Sequence, residues 1–127
     1  MNEKLSRILL VDDDPDIQTI AKVSLESVGG FSVRICGQAD EAVRAATEFT
    51  PQLILLDVMM PGMDGPAVLK LFKGDKLCRG IPVVFMTANL REQEAKALKN
   101  KEVAGVIAKP FDPMTLPENI RRIWKNI

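Results

Sequence analysis

The sequence predicts an α/β protein: a (βα)5 doubly wound parallel sheet of five strands in the order 2-1-3-4-5, with helices on both faces and one domain over residues 1–127. Two observations predict it. Short apolar runs alternate five times with stretches of helical periodicity, joined by short connections rich in turn formers. Four of these runs have no polar side, as the buried strands of a parallel sheet require, whereas the second alternates and fits an edge. Right-handed crossovers leave few arrangements, and the order 2-1-3-4-5 puts that mixed strand outside.

Arg7 to Val11 reads as strand 1 and runs into Asp12-Asp13-Asp14-Pro15. Asp14 is placed to cap a helix whose first residue is Pro15, where a missing N–H costs nothing. Ile17, Ile20, Ala21, Ser24 and Val28 recur at helical spacing and predict its inner face, closed by Gly29-Gly30. Phe31 to Cys36 is the alternating strand 2. A second helix is predicted from about Asp40 to Phe49, with Ala42, Val43, Ala46 and Phe49 facing in. Leu53 to Leu56 is the most apolar strand and ends on Asp57. Pro61, Gly62, Gly65 and Pro66 then break the chain, with Asp64 set to cap a third helix that turns Val68, Leu69 and Phe72 inward. Ile81 to Met86 forms strand 4, ending on Thr87. A charged fourth helix follows over about Arg91 to Lys101, with Ala95 and Leu98 as its apolar positions. Val103 to Ala108 is strand 5, ending on Lys109-Pro110. The fifth helix holds Leu116, Ile120, Ile123, Trp124 and Ile127. Thr115 and Glu118 suggest a capping box, although a start at Asp112 with a kink fits as well.

Composition narrows the function. Lys and Arg together equal Asp and Glu, 17 of each, so the net charge is zero. No basic excess argues for direct nucleic-acid binding, no apolar run approaches a membrane span, and the first residues are no signal peptide. Cys36 and Cys78 sit in no metal-like spacing and are expected to be reduced thiols in a cytoplasmic protein. Histidine is absent, which excludes a Ser-His-Asp triad, a His-ligated zinc and a His general base. Chemistry here runs on carboxylates, hydroxyls, amines and a hard metal.

The strand ends supply those groups. Strand 1 ends on Asp12 and Asp13, strand 3 on Asp57, strand 4 on Thr87 and strand 5 on Lys109. In a parallel sheet all these ends share one edge, and the switch point between strands 1 and 3 brings the acids together. Three close carboxylates resist ionisation unless a cation joins them. Lys109 and Mg²⁺ are the candidates, and Mg²⁺ binds through one or two carboxylates while leaving positions for phosphate oxygens. A hydroxyl, a lysine and a metal facing one carboxylate are the parts that place a transferring phosphoryl group, with Asp57 as the nucleophile.

Ile8-Leu-Leu-Val-Asp-Asp-Asp-Pro15, Leu56-Asp-Val-Met-Met-Pro-Gly-Met-Asp-Gly65, Met86-Thr-Ala88 and Ala108-Lys-Pro-Phe111 stand in that order. With these four motifs the sequence resembles a two-component response-regulator receiver domain, chemotaxis-regulator-like and flavodoxin-like in fold, over essentially its whole length. The resemblance implies that Asp57 accepts phosphate from a phosphohistidine on a sensor histidine kinase or phosphotransfer protein. It implies that Asp13, Asp57 and the Met59 backbone carbonyl bind Mg²⁺, with Asp12 acting largely through water. Thr87 would hydrogen-bond the phosphoryl group, Lys109 would pair with it, and the Lys109-Pro110 bond would be cis. The domain would be a regulator that catalyses only its own phosphorylation and dephosphorylation. Its output face would be helix 4, strand 5 and helix 5, with Leu90, Val106 and Trp124 as candidate contacts for a downstream partner or a phosphorylation-dependent homodimer.

Two departures from the receiver pattern stand out. Val106 occupies a position, three before the lysine, that is often aromatic, so a switch built on a rotating ring is in doubt. Met59 and Asn89 flank the path of an attacking water, and an apolar Met59 gives no help in orienting it; slow-to-moderate self-dephosphorylation is expected. Two other readings compete. A haloacid-dehalogenase-type phosphatase would use Asp12 as nucleophile, but no acidic pair follows Lys109 and Asp57 goes unexplained. A receiver-like module that is never phosphorylated is the second. The chain ends directly after helix 5, which fits a single-domain regulator or one whose output domain lies outside this sequence.

Overall fold

The computed structural model describes residues 3–92, 94, 96 and 102–127. Strands β1 (Arg7–Val11), β2 (Ser32–Cys36), β3 (Leu53–Asp57), β4 (Val83–Thr87) and β5 (Gly105–Ala108) form one sheet in the order β2-β1-β3-β4-β5. Every neighbouring pair is parallel, as the predicted fold demands.

Side chains alternate across the sheet and build two cores. On one face Leu9, Val11, Ile54, Leu56, Val83 and Phe85 pack with Ala42, Ala45 and Ala46 of α2 (Ala42–Phe49) and with Val68, Leu69 and Phe72 of α3 (Gly65–Gly74). On the other, Ile8, Leu10, Leu53, Leu55, Val84 and Met86 meet Ala21 of α1 (Pro15–Val23), Leu25, and Leu116 and Ile120 of the C-terminal helix (Leu116–Lys125). The mixed strand β2 lies at an edge and is the least buried along its length except at Cys36. No helix among the described residues is long and apolar enough to cross a membrane.

Several local expectations need correction. Beyond Val23 the first helix widens into a π-helical turn, Ser24–Val28, in which the Gly29 N–H donates to the Ser24 carbonyl five residues back. Leu25, one turn after Ala21, joins Ala21 and Ser24 inside, and the extra residue of the π turn leaves Val28 45% exposed; Ile20, in the regular helix before it, is 43% exposed. In α2 the inner residues are Ala42, Ala45 and Ala46, and Val43 and Phe49 are only half-buried. Strand β4 begins at Val83, after Pro82, because proline has no N–H to give a ladder. The capping box at Thr115 does not form: that residue is already helical in φ and ψ, and its hydroxyl donates to the Asp112 carbonyl. The predicted fourth helix falls largely on residues 93, 95 and 97–101, Ala95 and Leu98 included, which lie outside the described residues; residues 90–92, 94 and 96 are helical.

Candidate functional site

Strand register builds the site. Val11 pairs with Leu56, so the next residues along the two strands are Asp12 and Asp57. Asp57 in turn sits beside Met86, and Thr87 beside Ala108, which puts Thr87 and Lys109 one step further along the same edge. The Lys109 N–H donates to the Thr87 carbonyl at 2.8 Å, extending the ladder past the end of β5. Lys109-Pro110 is cis, as expected.

The structure therefore brings Asp12, Asp13, Asp57, Thr87 and Lys109 to one edge. Carboxylate oxygens of Asp12, Asp13 and Asp57 all lie within 4.8 Å of one another. Asp12 is wholly buried, Asp57 nearly so, and Asp13 half-buried. Asp12 Oδ1 accepts from the Asp14 N–H at 2.9 Å, while Asp14 accepts from the N–H groups of Asp16 and Ile17 and caps α1 as predicted. The Lys109 ammonium stands 2.8 Å from Asp12 Oδ2 and 3.1 Å from Asp57 Oδ1. The first contact is an attraction between charges without hydrogen-bond geometry, because Asp12 Oδ2 is buried and has no hydrogen-bond partner. Asp57 Oδ1 also accepts from the Met59 N–H at 3.2 Å.

Burial pushes the Asp57 carboxyl above the usual carboxylate range, and the neighbouring charge of Asp12 adds to it; the Lys109 ammonium and the Met59 N–H offset only part. For Lys109 burial alone would lower the pKa, but Asp12 and Asp57 together outweigh it and hold the ammonium above its ordinary value. Three carboxylates facing one ammonium leave an excess of negative charge in the cleft. The donor set is all oxygen and fits a hard divalent cation such as Mg²⁺, which takes carboxylates and keeps part of its water.

The remaining predicted residues fall out as follows. Thr87 is buried at the end of β4, and its hydroxyl accepts from the Asn89 N–H at 3.0 Å, leaving its own proton to donate into the cleft. The side chain of Met59 is 77% exposed. Asn89 turns its side chain to Glu92, donating to Oε2 at 2.8 Å. Leu90 and Val106 line one cavity of about 440 Å³ with Glu94, Phe111, Arg122 and Ile123. Trp124 does not join them; its indole N–H donates to the Glu3 carbonyl at 2.8 Å and its ring packs on the second core. Both cysteines are buried, and burial pushes the Cys78 thiol up to about 11, which leaves it unreactive.

Two residues that support the site were not singled out for it by sequence reasoning. Gly65 lets α3 approach β3: a Cβ there would lie 2.9 Å from Val58 Cα and 3.2 Å from the Asp57 carbonyl oxygen. The Asp-Gly pair at 64 and 65 is the only signal, and it reads first as a turn. Gln18 donates from Nε2 to the Asp12 carbonyl at 2.6 Å, and nothing in the helical pattern marks it.

Comparison with known proteins shows the family and agrees with the fold. A family model described as the response regulator receiver domain matches residues 8–121. The chain is 32% identical over 127 residues to the DNA-binding response regulator MtrA of Mycolicibacterium smegmatis, covering 99% of this chain and 54% of that protein. It is 36% identical over 121 residues to the phosphate regulon transcriptional regulatory protein PhoB of Klebsiella pneumoniae, covering 95% and 52%. The chain thus spans about half the length of these curated relatives. Among solved structures, a response regulator from Desulfuromonas acetoxidans superposes with a TM-score of 0.83 at 30% identity, covering 96% of this chain and 98% of that one. Chemotaxis protein CheY4 of Vibrio cholerae superposes with a TM-score of 0.84 at 25% identity, covering 94% and 99%.

Proposed function

This chain belongs to the response regulator receiver domain family, and from that premise we propose that Asp57 is its phosphoacceptor, taking a phosphoryl group from a phosphohistidine on a sensor histidine kinase or phosphotransfer protein. The observation that carries the reading is the convergence of Asp12, Asp13 and Asp57 with Lys109 against Asp57. An Asp57 oxygen attacks phosphorus, the P–N bond to the donor's imidazole breaks, and an acyl phosphate forms as the imidazole leaves. Asp13, Asp57 and the Met59 backbone carbonyl would hold Mg²⁺, with Asp12 supporting the site from beside it. The cation, when bound, supplies neutralisation of the charge that develops on the phosphoryl oxygens. Lys109 moves from the carboxylate to the phosphoryl group, and Thr87 donates its hydroxyl proton to it.

That rearrangement is the signal. A phosphoryl group adds nearly two negative charges, and the two residues that answer them sit at the ends of β4 and β5. Their displacement reaches the cavity lined by Leu90 and Val106, where an output partner or a second copy of the domain reads it. Neither the apolar Met59 nor Asn89, whose side chain is engaged with Glu92, offers a polar group to orient an attacking water. Self-dephosphorylation is accordingly slow to moderate, and an acyl phosphate that decays within seconds at neutral pH would contradict this.

The experiment is intact-mass measurement after incubation with acetyl phosphate, comparing wild type with Asp57→Ala. One added phosphoryl group is expected, dependent on Mg²⁺ and lost in the variant. Absence of both this adduct and a stable beryllofluoride complex would reject the phosphoacceptor and leave a receiver-like module that works without phosphorylation.

A further inference from the structure

The peptide that carries Asp12 is gripped on both sides. Its N–H donates to the Cys36 carbonyl at 3.0 Å, beyond the last paired residue of β1. Its carbonyl accepts the 2.6 Å bond from Gln18 Nε2, which reaches back from α1 over the turn holding Asp12, Asp13 and Asp14. The amide has room because residue 37 is glycine: a Cβ there would lie 3.0 Å from Gln18 Nε2 and 3.9 Å from the Asp12 carbonyl oxygen. With its main chain fixed and Oδ1 engaged by the Asp14 N–H, Asp12 turns Oδ2 into the cleft, 2.8 Å from the Lys109 ammonium. A neutral donor suits this place. A lysine or arginine would make the same bond but add a positive charge beside the acids and compete with a metal.

We infer that Gln18, seated against Gly37, is a positioning residue of the metal site, and that its amide, by holding the Asp12–Asp13 turn, sets the affinity for a divalent cation. This rests on the Mg²⁺ reading of the cleft. Groups that orient the ligands of a metal, without touching it, commonly change its affinity by about tenfold or more when removed.

Two measurements on the full chain test it. In calorimetric titration with Mg²⁺, Gln18→Leu, which keeps the bulk and loses the donor, is expected to weaken binding about tenfold. Gly37→Ala should weaken it in the same direction, and the double variant should be no weaker than the more affected single one, since both act on one contact. Saturating Mg²⁺ should restore the wild-type rate of phosphoryl uptake from acetyl phosphate, which a general loss of fold would not allow. Thr19→Ala, which removes a hydroxyl bonded only within α1 to the Pro15 carbonyl, should leave Mg²⁺ affinity unchanged. Unaltered affinity in folded Gln18→Leu overturns the inference. Amide NMR of the metal-free protein reads the tether separately: shifts at Asp12, Asp13 and Asp14 in Gln18→Leu support it, and unmoved signals overturn it. A wild type that binds no Mg²⁺ overturns the metal reading and, with it, the role of Gln18 in affinity.

Discussion

Strand β3 holds two regions that are buried alike and differ in everything else. Leu53, Ile54, Leu55 and Leu56 are fully buried, and Asp57 is only 5% exposed. Removing each of the four apolar side chains from water stabilises the fold by about 2 kcal/mol. Removing the carboxylate from water does the reverse, and it raises the pKa of Asp57 even with an ammonium 3.1 Å away. The same contrast holds on β1, where Val11 is followed by a wholly buried Asp12. The centre of the sheet is arranged for folding. Its carboxyl edge keeps charge that a bound cation would relieve, at the expense of stability in the free protein.

The comparison predicts distinct responses to substitution on either side of the boundary. Leu55→Ala, in the centre, should destabilise most, by about 3 kcal/mol in urea unfolding. The loss should not depend on Mg²⁺, because Leu55 carries no group that binds a cation or a proton. Lys109→Ala, at the edge, removes the counter-charge of Asp12 and Asp57. Breaking a buried pair costs about 3 kcal/mol, and a discount to about 2 is appropriate because the ammonium is partly exposed. Unlike the leucine variant, this one should regain part of its stability when Mg²⁺ is added. The pairing also predicts a pH effect. The folded pKa of Lys109 is raised, so its contribution is complete below the ordinary lysine value and is lost as pH rises through the folded value. Wild type and Lys109→Ala should therefore converge in strongly alkaline solution. Equal, Mg²⁺-independent losses for the two variants would erase the distinction between centre and edge.

What could be read from the sequence divides along the same line. The apolar runs located all five strands, although β4 and β5 each begin two residues later than the runs do, at Val83 and Gly105. Their terminal residues were legible as a group because parallel strands share an edge. Helix 1 was legible only in part: Val28 has the right spacing for an inner face only in a regular α-helix, which the π turn at Ser24–Val28 interrupts, and Ile20 lies beside the buried stripe of Ala21 and Leu25 rather than on it. Thr115 and Glu118 have the residue types of a capping box, yet the turn at Asp112 leaves Thr115 without the extended backbone a cap needs. Trp124 reads both as part of the apolar stripe of helix 5 and as a candidate output contact; its bond to Glu3, more than a hundred residues away, was not legible. Gln18 and Gly65 were illegible for a similar reason, since each acts through a close approach to another segment that no periodicity records. Resemblance to receivers supplied roles for Asp13, Met59 and Thr87, but spacing alone gave no distances.

The smallest effect is the most discriminating, because its sign is at stake. Asp57→Asn keeps the shape of the side chain and removes the charge. A carboxyl whose folded pKa is raised contributes fully to stability below its unfolded pKa, and that contribution is lost as pH rises through the folded value. Charged Asp57 is then a net cost at neutral pH, so the asparagine variant should be more stable there by about 1 kcal/mol, the usual size of such a gain at a functional residue. The advantage should fade as pH falls into the carboxylate range, where the wild-type group binds its proton. Mg²⁺ should narrow it as well, by stabilising the wild type more than a variant that has lost one carboxylate of the cluster. Unfolding curves at pH 7 and near pH 4, with and without Mg²⁺, measure all of this. A destabilised Asp57→Asn at pH 7 would mean that the bond to Lys109 outweighs burial, and the acid edge would then be a second source of stability.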